Sequence, residues 1–236
     1  MVLFIVALLL GGLLVPLATQ LEGRQRAEAQ QELQEIKEAL IGYAIMNGKL
    51  PCYATDTDGK DAVDEGQANC APGNELAPPA QYAAVTCYPR DYYLPWSTLG
   101  LNDGLDPWNQ YWRYRVDQEF ANPEIPSIGD NVSDQVSIQE LDSTNSVEGG
   151  PVYIQKISSE YPIAVVYSTG ANQVADYENC DYEEPAETPV LYEAGPVSNL
   201  SRDDSLSEDE DKFDDMLIWL SRPEFFYKLV SAEVLP

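Results

Sequence analysis

MVLFIVALLLGGLLVPLATQ, residues 1–20, runs without a charged side chain or a turn signal into LEGRQRAEAQQELQEIKEALIGYAIMNG, residues 21–48. The first part holds about 20 residues, which at 1.5 Å rise per residue matches the roughly 30 Å hydrocarbon thickness of a bilayer. The first charge is Glu22. A cleaved secretory signal would have an apolar core of about 7–15 residues behind a basic segment and ahead of small residues at the cleavage point. That pattern is not clear in this run, so the expectation over residues 1–20 is a retained transmembrane helix. Gly11, Gly12 and Pro16 lie inside it. Membrane helices tolerate such residues where neighbouring segments pack closely or re-satisfy a freed carbonyl, which marks these three as candidate helix-packing positions with a softened turn.

From Leu21 the period changes. Ala29, Leu33, Ile36, Leu40 and Tyr43 recur at alternating steps of four and three and so share one helical face. Glu28, Glu32, Glu35, Lys37 and Glu38 keep the other faces wet, and Gly48 with Pro51 supplies a helix stop. About two heptads are too few to favour a coiled coil, so the stripe is predicted to dock on the chain's own head. One helix over residues 1–49 is implied, with residues 21–49 as its amphipathic half. Residues 50–236 are enough for one core, and their Tyr- and Pro-rich make-up with short β-like runs predicts an α+β head.

Net charge narrows the partners. With Asp+Glu 40 against Lys+Arg 13, the formal charge is -27, which excludes a nucleic-acid footprint and docking to an anionic lipid surface. The acids gather in the second half, and a solvated face accounts for most of them. Cys52, Cys70, Cys87 and Cys180 are irregularly spaced, with no C-x-x-C pair and no histidine in the chain, which argues against zinc. Two disulfides in an oxidising compartment are the reading, against reduced buried thiols as the alternative. Of the three connectivities, Cys52–Cys87 with Cys70–Cys180 is the one expected.

Further along, Trp96 to Leu101 reads as a packed turn and Asp106-Pro107 as the start of another. Trp112, Tyr114 and Val116 alternate with Arg113, Arg115 and Asp117 as in a half-buried strand. The aromatic and arginine residues here invite a stacking site for bases or sugars, but with so many acids nearby core packing is the better account. VSIQE (136–140) and PVYIQKI (151–157) suit a hairpin, and Ile163 to Tyr167 is the strongest strand signal. An acidic loop is expected over residues 171–211, before the apolar run in DDMLIWLS (214–221). Ser221-Arg-Pro-Glu224 then has capping-box spacing, with Phe226, Leu229, Val230 and Glu233 at helical intervals.

Four stretches together resemble the type IV pilins and pseudopilins of pilus and type II secretion machinery, especially a minor-pilin-like group. They are PLATQLEGRQRAEAQQELQEIKEALIGYAIMNGKLPC (16–52), LPWSTLGLNDGLDPWNQYWRYRV (94–116), PIAVVYSTGAN (162–172) and DDMLIWLS. The acidic loop and residues 121–150 are outside the resemblance. The family's basic leader, cleavage-point glycine, methylatable phenylalanine and fifth-position glutamate are not in this sequence, and a missing start is the reading favoured for that. The resemblance implies a long helix packed on a small antiparallel sheet, without enzymatic activity. It also implies an inner-membrane subunit, single-pass with a periplasmic head, that passes into a periplasmic or extracellular filament. Prepilin peptidase processing, methylation, an assembly platform with its ATP-driven motor, and other pilin or pseudopilin subunits are the partners and modifications implied.

Some pseudopilins hold Ca²⁺ in a loop placed like the stretch between STGAN and DDMLIWLS. Asp176, Glu178, Asp214 and Asp215 are the candidate ligands here, since calcium takes six to eight oxygens, although their spacing fits no fixed ligand code. Other function classes fare differently. A hydrolase of the Ser-His or Cys-His type is excluded by the absence of histidine, and no carboxylate pair stands out among the 40 acids. A stand-alone membrane-tethered binding or adhesion domain is the alternative to a filament subunit.

Overall fold

The computed structural model describes residues 2–60, 92–121, 136–147, 150–156, 162–171, 190–194 and 215–234. For residues 2–19, 118, 136–147, 150–156 and 190–194 it describes the backbone alone. Helix α1, Val2–Asn47, is one unbroken run of 46 residues that carries the uncharged and amphipathic stretches alike. It stops where the sequence predicts. Gly48 takes φ 72°, a left-handed conformation cheap only for glycine, and its N–H closes on the Ala44 carbonyl at 2.8 Å. Among the described residues no helix is long and apolar enough to cross a membrane; the side chains of residues 2–19 lie outside that set.

The predicted stripe docks on the head. Ala29, Leu33, Ile36 and Leu40 are buried in the hydrophobic core, joined by Ile41 and Ala44, while Tyr43 is only partly covered. A straight helix slips by about 20° per heptad against a strict 3.5-residue repeat, which turns Tyr43 out and brings its neighbours in.

Three strands form the sheet that receives this helix: β1 (Arg113–Val116), β4 (Ala164–Ser168) and β6 (Met216–Leu220), in the order β1-β4-β6. Both pairings are antiparallel, with Val166 opposite Tyr114 on one side and Ile218 on the other. The β-branched run of β4 explains its central place, and every residue in it is buried. Helix α1 packs against β6 and against α3 (Arg222–Ser231). Expected alternation along β1 fails in one respect, because Arg115 and Asp117 are buried along with Trp112, Tyr114 and Val116. Here the strand is covered on both faces. Asp117 is used locally, its Oδ1 accepting the Glu119 N–H at 2.9 Å at the start of the short helix α2 (Gln118–Ala121).

A second sheet has the order β3-β2-β5. Strands β2 (Val136–Val147) and β3 (Gly150–Lys156) are the predicted hairpin, antiparallel with Gln139 opposite Lys156. Strand β5 (Val190–Ala194) pairs parallel to β2, so the stretch 171–211 is not loop throughout. Its Val-Leu-Tyr core gives it strand character that the surrounding acids conceal in a composition count.

Helix α3 starts as its capping box requires, with Ser221 Oγ accepting the Glu224 N–H at 3.4 Å and Pro223 in the first turn. Its buried face is Phe225, Phe226 and Leu229, while Val230 and Glu233 are exposed, a shift from the predicted face that brings Phe225 onto Phe120. Phe120, Phe225 and Phe226 meet edge to face at 5.8–6.2 Å, and the Arg222 guanidinium lies 5.7 Å from the Phe120 ring centroid. Two ion pairs of opposite sense join α3 to α1: Lys37–Glu224 at 2.7 Å and Lys228–Glu38 at 3.4 Å.

Candidate functional site

Gly11, Gly12 and Pro16 fall inside α1, whose helical backbone continues through all three. Cys52 is buried directly after the helix stop and is disulfide-bonded. Its partner lies outside the described residues, as do Cys70, Cys87 and Cys180, so the expected pairing is not tested. Of the calcium candidates, Asp215 is described and is buried just ahead of β6. Asp176, Glu178 and Asp214 lie outside the described residues. Among those residues no group of three or more His, Cys, Asp or Glu side chains is placed to hold a metal ion.

The structure instead brings polar residues together along the seam between α1 and the turn at 103–110. Asp106, which opens the predicted turn, accepts the N–H groups of Trp108 and Gln110 on Oδ1 at 3.0 and 2.8 Å. The Ser168 hydroxyl, at the end of β4, donates to its Oδ2. Burial pushes the Asp106 carboxyl up, and these hydrogen bonds hold it back. From α1, Gln25 Nε2 donates to the Pro107 carbonyl at 3.0 Å and clips the turn onto the helix.

Glu32 lies on α1 beside this turn. Its Oε2 is sealed from solvent with no hydrogen-bond partner among the described residues. Burial first, then the charges of Glu28, Asp103, Asp106 and Glu35, push its carboxyl up to about 7. Reading Glu32 as a wet-face residue was therefore incomplete. It is three residues after Ala29 and four before Ile36, both buried, and that spacing alone borders it on the stripe. Nothing local in the sequence indicates the Ser168–Asp106 bond, which spans 62 positions.

An aromatic and glycine clamp fixes the next turn. The Trp96 indole fills the space where a Cβ would stand at both Gly59 and Gly104, and Gly59 has φ 73°. Arg113 stacks 4.4 Å from the Tyr93 ring centroid, so the arginine-aromatic signal serves packing within the chain. Hydrogen-bonded turns, a clipped helix and a buried stripe amount to a rigid mount for α1. Compared with known protein families, with curated proteins and with solved structures, the chain matches none of them.

Proposed function

We propose that the chain is a structural subunit, a minor pilin or pseudopilin, of a type IV pilus or type II secretion filament. Residues 1–20 hold the subunit in the inner membrane before assembly, with the acidic head in the periplasm. In the filament the uncharged halves of neighbouring helices pack together, with Gly11, Gly12 and Pro16 at close contacts, and the heads form the outer surface. The observation that carries this reading is the continuity of α1. One helix of 46 residues joins an uncharged run to a stripe buried in the head, without a break between them. The resemblance of the four sequence stretches to pilin-like proteins supports the same reading. Partners on this account are other pilin-like subunits, the assembly platform and the prepilin peptidase.

The test is fractionation of the native bacterium expressing a tagged full chain. A head that is protease-sensitive from the periplasm, with the chain in sheared filaments or co-purifying with other pilin-like subunits, supports a filament subunit. A chain held in the inner membrane with no such subunits favours a tethered binding domain. Extraction without detergent, with the first residues removed, overturns both.

A further inference from the structure

We propose that the seam between α1 and the turn at 103–110 is a proton-operated latch, closed when Glu32 carries a proton and loosened when it is ionised. The device rests on placement. Glu32 Oε2 is shut away from water without a hydrogen-bond partner among the described residues, so on ionisation that oxygen gives up its hydration with nothing in exchange, although the side chain as a whole is partly exposed. Among the described residues the charges that act on it are acidic: Glu28 and Glu35 from α1, and Asp103 and Asp106 from the turn. Two cations of the same helix are engaged elsewhere, Arg26 with Glu22 at 3.1 Å and Lys37 with Glu224 at 2.7 Å.

The turn is held where it is. Ser168 and two backbone N–H groups secure Asp106, and Gln25 grips the Pro107 carbonyl at 3.0 Å. A charge on Glu32 therefore has two ways to bring Oε2 to water: the side chain swings out from its place beside the stripe, or the Gln25–Pro107 bond opens. Uptake of one proton from solvent turns the carboxylate into a neutral acid and removes both the repulsion and the dehydration cost. The carboxyl, pushed up to about 7 by burial and its acidic neighbours, places that change in the neutral range. The latch is independent of whether the subunit enters a filament.

Amide hydrogen exchange of the full chain in detergent micelles tests it, read from about pH 5.5 to about pH 8.5 after correction for the intrinsic rate. Peptides covering residues 25–36 and 103–112 are expected to lose protection by about tenfold across that range, while residues 162–171 hold theirs. Glu32→Gln should flatten the response, and Glu38→Gln, on the α3 side of the helix, should leave it intact. A wild-type seam whose protection follows that of residues 162–171, or a Glu32→Gln seam that keeps the full response, overturns the latch. Carboxyl NMR of the wild type gives a second readout that needs no variant. A Glu32 midpoint near its ordinary value of 4.5 overturns the latch, and one near 7 supports it.

Discussion

The Ser168 hydroxyl donates to the Asp106 carboxylate, a buried bond that ties the end of the central strand to a turn 62 positions earlier. Asp106 also organises its own turn through the Trp108 and Gln110 amides. Ser168→Ala leaves one buried Asp106 oxygen without its donor and the Gly170 N–H without its acceptor, and should cost about 1–3 kcal/mol. Asp106→Ala frees three donors and should cost more than Ser168→Ala. Urea denaturation of both variants checks the order, and a reversed order would show that the turn is held by something else.

Stability should also depend on pH. Glu32 has a folded-state value of about 7 against an ordinary 4.5, so between those limits the folded chain binds protons that the unfolded chain releases. The associated stabilisation is fully present below about pH 4.5 and is lost as pH rises through about 7. Because the carboxyl is partly exposed, screening reduces the loss to about 1 kcal/mol. Asp106, raised mainly by burial, acts in the same direction. Glu32→Gln should therefore be more stable than wild type at pH 8 by about 1 kcal/mol and no more stable at pH 4, as thermal melts at the two pH values can decide.

Two glycines support one tryptophan. Gly104→Ala drives a methyl into the Trp96 ring and should cost about 1–3 kcal/mol. Gly59→Ala meets the same ring and adds the left-handed backbone, so its loss should be the larger. Gly48→Ala has the left-handed penalty with open space around it, about 1–2 kcal/mol. Equal losses at Gly48 and Gly59, measured by denaturant midpoints, would mean that the indole gives way freely.

The ion pair between Lys37 and Glu224 lies partly exposed, so a double-mutant cycle with alanine at both positions should return a coupling of about 0.2–1 kcal/mol. That coupling should shrink at high salt. A value above about 3 kcal/mol would place the pair among buried bridges.

Much of the primary sheet was legible because its signals are local. The β-branched run at 163–167 and the capping box act within a few residues and produced the strand and helix expected, while the apolar run before Ser221, for which no element is predicted, is strand β6. The helix stripe was equally readable, apart from the slip at Tyr43. What escaped depends on non-local coverage: Arg115 and Asp117 go under because something lies over both faces of β1, and Phe225 goes under because Phe120 is waiting for it. Strand β5 was hidden by acidic neighbours on either side. At the seam, the wet-face reading of Glu32 overlooks its border position beside the stripe, and Asp106 with Ser168 needs the topology that brings β4 beside the turn.

Because the lower half of α1 lies in the same core as β6 and α3, tension on the first residues would be delivered directly to the interior of the cap. Helix α1 runs unbroken between the two. A load strong enough to shift the shaft would have to tear out Ala29, Leu33, Ile36 and Leu40 together, so the mechanical strength of the joint is the cohesion of the folded domain itself.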